Sequence, residues 1–105
     1  MNPERRRHVR IPGPFHAAAH LPGGDVPVRI LNLSEGGCYI EGAHLPAEGG
    51  PVELTISFPS GSSIVLSGET LLNRSDGCAV LFDDPSATVL ARFGRIMNDL
   101  REKLS

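Results

Sequence analysis

Two stretches of this chain carry chemically capable residue types at close spacing. The first is E-R-R-R-H-V-R at residues 4–10, with four arginines inside six residues, and the second is N-L-S-E-G-G at residues 32–37. Arginine presents a planar, permanently charged fork of donors. It can grip a phosphate bidentately, pair with guanine O6 and N7, or stack on a purine face. In the second stretch Asn32 offers an amide that both donates and accepts, and Ser34 offers a hydroxyl. Gly36 and Gly37 permit positive φ, which would turn backbone amides toward an anion or let a planar ligand approach closely. A polar stretch with two glycines is, by itself, also an ordinary turn between strands.

Charge is distributed unevenly around these stretches. Residues 1–10 hold four Arg against one Glu, a balance of +3, whereas the rest of the chain holds six Lys or Arg against eleven Asp or Glu, a balance of −5. Such asymmetry points to a localised anion site and not to a generally basic surface. The partner would be nucleic acid, a nucleotide or an acidic protein face, and simple solvation of a terminal tail is the alternative. Arginines without interleaved aromatics on a net acidic domain make a poor nucleic-acid footprint, so no nucleic-acid partner is expected.

Other function classes find little support. The chain has no G-x-S-x-G, no Walker loop, no G-x-G-x-x-G and no H-E-x-x-H, so an enzyme is not expected. Cys38 and Cys78 stand alone, and His8, His16, His20 and His44 lack ligand spacing; buried, reduced, structural thiols are expected, with no metal and no cofactor. No apolar run approaches the roughly 20 residues of a membrane helix. The arginine-rich first residues have no apolar stretch behind them, so neither a signal peptide nor membrane insertion is expected, and a cytoplasmic location is the default.

The elements that must position the two stretches follow from the rest of the pattern. A chain of 105 residues with 40% hydrophobic content, no Trp, one Tyr and four Phe has room for one domain with a mostly aliphatic core. Twelve Gly and nine Pro suit short strands joined by turns. Pro12-Gly13-Pro14 is expected to break regular structure, making residues 1–14 a flexible basic arm and 15–105 a single domain. Strands are expected at 15–21, 26–33, 38–42, 51–58, 63–72 and 78–82, separated by turn signals such as P-G-G-D at 22–25. The fourth alternates cleanly, with Val52, Leu54, Ile56 and Phe58 on one face. Six consecutive short strands suit a closed or nearly closed barrel. Near the end the period changes. Asp84 is placed to cap a helix over 85–103 with Pro85 at its first position, and Asp83-Asp84 read as capping residues. Val89, Leu90, Phe93, Ile96, Met97, Leu100 and Leu104 recur at helical spacing and would pack it on the barrel. Gly94 weakens the helix or admits a close neighbour.

Taken together, the arginine pair Arg6-x-x-x-Arg10 and the later Asn32-x-Ser34-x-x-Gly37 turn resemble the RxxxR and [D/N]xSxxG motifs of the PilZ domain family. G-C-A-V-L-F at 77–82 is similar to that family's late strand. The resemblance extends over nearly the whole chain and implies a mainly β fold: a six-stranded antiparallel, split β-barrel with a C-terminal α-helix. It also implies binding of the bacterial second messenger cyclic di-GMP through Arg6, Arg10, Asn32, Ser34 and Gly37. Arg5 precedes the pair, where family members with an arginine tend to take up two stacked ligand molecules. Arg7 is a lesser candidate, because alternate residues of an extended arm point in different directions. On this reading the arm is a clamp, disordered when empty and ordered by ligand. A stand-alone receptor without an output module would pass its signal to an unidentified downstream protein, in motility or biofilm regulation. The alternative is an adaptor of the same fold that does not use the ligand, in pilus or motility assembly; such relatives typically lose the arginines. Three departures from the family pattern are Asn32 where many members have Asp, Ala79 where a second glycine is common, and Leu72-Asn73-Arg74 where some members carry a stacking aromatic.

Overall fold

The computed structural model describes residues 11–42, 49–74, 77–83 and 86–104. Strand and helix periodicities lay down six strands and one helix in order: β1 (Ile11–Leu21), β2 (Gly24–Leu33), β3 (Gly37–Glu41), β4 (Pro51–Ser57), β5 (Ser63–Asn73), β6 (Cys78–Phe82) and α1 (Ala87–Leu104). In β4 the alternation works as expected: Val52, Leu54 and Ile56 are buried while Glu53 and Ser57 are exposed. The strands form a closed barrel in the order β1-β2-β3-β6-β5-β4. Every neighbouring pair is antiparallel. Closure comes from His16–His20 of β1 pairing with Glu53–Ser57 of β4, which leaves no open sheet edge.

The interior is aliphatic, with Ile30, Leu33, Ile40, Leu54 and Ile56 fully buried. Phe15 and Phe58 meet edge-on at 5.5 Å between ring centroids. Cys38 and Cys78 are both buried and neither is in a disulfide. Burial pushes the Cys78 thiol above its ordinary pKa, because the interior disfavours the thiolate.

β1 begins earlier than the Pro12-Gly13-Pro14 stretch suggests. Ile11 pairs with Leu33 and Pro12 with Asn32, and pairing resumes at Phe15 with Ile30. One extra residue on β1 is absorbed as a bulge, a setting in which proline's missing N–H is tolerated. Gly13 makes the bulge possible, since a Cβ there would sit 2.1 Å from the Ile30 carbonyl oxygen. Residues 11–14 are thus part of the first strand, and Ile11 is buried in the core. Two more register shifts fall between Ile30 and Asn32 of β2 and between Thr70 and Leu72 of β5.

Helix α1 covers one end of the barrel. Ser86 caps it, its Oγ accepting from the Val89 N–H at 3.3 Å; Asp84 and Pro85, expected in that role, lie outside the described residues. Phe93 and Met97 are fully buried, and Val89, Ile96 and Leu100 pack beside them. Phe93 meets Phe82 edge-on at 6.0 Å, and Arg92 donates to the Ser63 carbonyl at 2.7 Å. Leu90 departs from the expected stripe: it is 46% exposed, at the margin of the apolar face in the first turn. The side chain of Leu104 is outside the described set.

Candidate functional site

Asn32, Ser34 and Gly37 come together where β2 ends, the chain turns and β3 begins. The turn is built by its own polar groups. The Ser34 N–H donates to the Gly37 carbonyl at 2.9 Å, and the Ser34 hydroxyl donates to the same oxygen at 3.2 Å. Ser34 is 3% exposed, so this hydroxyl first shapes the turn; its oxygen retains acceptor capacity. On the far side the Phe82 N–H donates to the Gly36 carbonyl at 3.0 Å, locking the turn to β6.

The glycines of this turn act differently from the sequence expectation. Positive φ among the described glycines occurs at Gly24, Gly49 and Gly61, not at Gly36 or Gly37. Gly37 is needed for close strand approach: a Cβ there would lie 2.3 Å from the Val80 carbonyl oxygen. The turn's backbone therefore keeps ordinary φ values, and the missing side chain lets β3 lie tightly against β6.

A groove of about 580 Å³ runs over the outer wall beside this turn. Asn32, Ser34, Tyr39, Leu71, Ala79 and Leu81 are among its lining residues. The ladder explains the grouping, because Pro12, Asn32, Tyr39 and Ala79 are successive Cα partners across β1, β2, β3 and β6. Tyr39 is not among the residues expected from the motifs. Its signal was the alternation of β3, in which inward Cys38 and Ile40 leave Tyr39 facing out. Its ring lies against Gly77, where a Cβ would come within 2.7 Å of Tyr39 Cε2. Ala79 and the exposed Leu71 and Leu81 add apolar surface.

Among the described residues lining this groove none is charged. It offers amide and hydroxyl hydrogen bonding, an aromatic face and apolar wall, but no counter-charge for an anion. Arg5, Arg6 and Arg10 lie outside the described residues. What is described is the chain's entry to the barrel: Ile11 sits opposite Leu33, next in sequence to Ser34, and Pro12 sits opposite Asn32. Among the described residues no group of His, Cys, Asp and Glu side chains could hold a metal ion, and no helix is long and apolar enough to cross a membrane.

The family model for the PilZ domain matches residues 4–99. The chain belongs to the PilZ domain family. The match includes both the basic stretch before β1 and the Asn32–Gly37 turn. Among curated proteins none matches the chain. Solved structures are similar to this PilZ barrel. The crystal structure of YcgR from Escherichia coli in complex with c-di-GMP is 22% identical, with a TM-score of 0.78 over 95% of this chain and 47% of that one. The isolated PilZ domain of Escherichia coli YcgR with c-di-GMP is 19% identical, with a TM-score of 0.77 over 95% of this chain and 94% of that one. The Bacillus subtilis inhibitor of motility MotI/DgrA is 17% identical, with a TM-score of 0.66 over 90% of this chain and 52% of that one. At these identities the likeness is one of fold. The chain spans about half the length of the full YcgR chain and nearly all of its PilZ domain.

Proposed function

We propose that this PilZ domain is a non-catalytic receptor for cyclic di-GMP. In this reading Arg6 and Arg10 grip phosphate and guanine from the arm, and Asn32, Ser34 and Gly37 form the opposing wall. The observation that carries it is the β1–β2 register, Ile11 with Leu33 and Pro12 with Asn32. That register sets Ile11 and Pro12, the residues that follow the basic stretch in the chain, next to a groove that has hydrogen-bonding and aromatic surface but no lining charge among its described residues. The arm has the charge that such a groove needs for a bis-phosphate ligand. Reach is sufficient, because Arg6 is five residues from Ile11 and an extended chain spans at most about 3.3–3.6 Å per residue, or about 18 Å. Asn32 in place of the commoner aspartate keeps an acceptor and adds donors for a guanine edge or phosphate oxygen. Similarity to the c-di-GMP-bound YcgR domain supports the ligand class. Arg5 is assigned to uptake of a second, stacked ligand molecule.

Ligand binding would order the arm over the outer wall and change the surface offered to a downstream protein, with control of motility or biofilm formation as the process. Coupling of this kind requires that the partner distinguish the two states. Calorimetric titration with cyclic di-GMP tests the reading, with GTP as control ligand and the double variant Arg6→Ala/Arg10→Ala as control protein. Saturable binding lost in the double variant is expected, and its stoichiometry reads out Arg5. Absence of heat together with an unchanged melting temperature would turn the assignment to a ligand-independent adaptor.

A further inference from the structure

A second set of polar side chains lies on the same outer wall, one row further along β2 and β3. Arg29 and Glu41 are direct Cα partners. They form an ion pair across the two strands, with side chains 58% and 26% exposed. The inward pair Ile30 and Ile40 separates this row from Asn32 and Tyr39. The two polar rows are therefore consecutive on the outside of the barrel, about 7 Å apart along β3 at the usual rise per residue. On the other side Arg29 pairs with His16 of β1. His16, Pro27, Arg29 and Glu41 border an open groove of about 490 Å³.

An exposed cross-strand ion pair contributes little to stability, so opening it toward a ligand costs the fold little. Their chemistry together complements one base. The pair commits Arg29 Nη2 and Glu41 Oε1 to each other, leaving the second carboxylate oxygen and the remaining guanidinium donors. The carboxylate can accept from the N1–H and exocyclic amine of guanine, while the guanidinium donates to O6. Adenine reverses both contacts, presenting amine hydrogens to the guanidinium and a ring lone pair to the carboxylate. Two opposed contacts give discrimination by repulsion as well as by attraction.

We propose that Arg29 and Glu41 form a guanine-reading subsite for one base of the cyclic dinucleotide. This rests on the receptor reading of the neighbouring Asn32–Ser34 site. The subsite extends the binding wall along β2 and β3, away from the basic arm, and sets base preference where the arm supplies charge.

The test compares cyclic di-GMP, cyclic di-AMP and mixed cyclic GMP-AMP by calorimetry on the full chain. The variants are Glu41→Gln and Arg29→Lys, each with its melting temperature. Glu41→Gln is isosteric but places amide hydrogens toward the guanine donors, and Arg29→Lys keeps charge while losing the fork. Each is expected to weaken cyclic di-GMP about 5- to 150-fold, the range for a lost bidentate base contact. Each is also expected to narrow the preference for guanine over adenine, with the melting temperature little changed. Both variants retaining wild-type affinity and preference, while Arg6→Ala/Arg10→Ala abolishes binding, would overturn the subsite and leave the receptor reading intact. A wild-type chain that binds no cyclic di-GMP would overturn both.

Discussion

Replacing Gly37 by Ala separates two roles that the motif glycine could have. If it serves ligand approach, Gly37→Ala impairs binding and spares the fold. The geometry points the other way. The new Cβ would meet the Val80 carbonyl oxygen at 2.3 Å, where ordinary contact begins at 3.4 Å, so β3 and β6 must part by about 1 Å. The obstacle is backbone held within a closed barrel, and it cannot swing aside as a side chain would. Parting the strands strains the Phe82 N–H bond to Gly36 at 3.0 Å and the Ser34 N–H bond to Gly37 at 2.9 Å. Two hydrogen bonds weakened, with partly buried groups left short of partners, amount to about 2–4 kcal/mol. For a domain of this size that corresponds to a melting temperature lowered by roughly 10–20 °C. Thermal and urea unfolding of Gly37→Ala without ligand measures it directly. A melting temperature within a few degrees of wild type would refute the strand-approach role, and simultaneous loss of cyclic di-GMP binding would make ligand approach the reason for a glycine in the wall.

Three further outcomes follow from the packing. Phe93→Ala removes a fully buried ring in edge contact with Phe82 and is expected to cost about 3–5 kcal/mol; a urea midpoint close to wild type would mean that α1 does not seal the barrel. Gly94→Ala meets only Glu35 Oε2 at 3.9 Å, so it should stabilise the chain by about 0.5–1 kcal/mol through helix propensity, and a lowered melting temperature would contradict the open space seen there. Because burial raises the Cys78 pKa above its ordinary 9.0, the folded state holds the thiol proton more tightly than the unfolded chain does. The contribution of Cys78 to stability is therefore full below 9.0 and is lost as pH rises above it. Urea midpoints of wild type and Cys78→Ala should draw together on the alkaline side, and a constant difference across that range would rule the linkage out.

Local pattern in this chain was enough for the elements. Alternation at Val52, Leu54 and Ile56, turn residues between apolar runs and three- and four-residue spacing from Val89 to Leu100 each report a nearest-neighbour property. The observed strands and helix lie close to where those signals placed them. The two motifs likewise identified the PilZ family, since residue type and spacing are properties of the chain itself. Other features depended on pairing between distant segments. Pro12-Gly13-Pro14 reads as a break until β2 supplies the Ile30 carbonyl and a bulge accommodates it. Gly36 and Gly37 read as positive-φ residues until β6 is seen to require a glycine at Gly37 for close packing. Tyr39 and Glu41 read as unremarkable strand residues until the ladder sets them beside Asn32 and Arg29. Which segments become strands, which faces go inward and which family the chain joins were legible in residue order, because these depend on local periodicity and spacing. The ring order, the bulges and the outer-wall neighbours emerge with the folded barrel, because closing it fixes register through contacts between residues far apart in the chain.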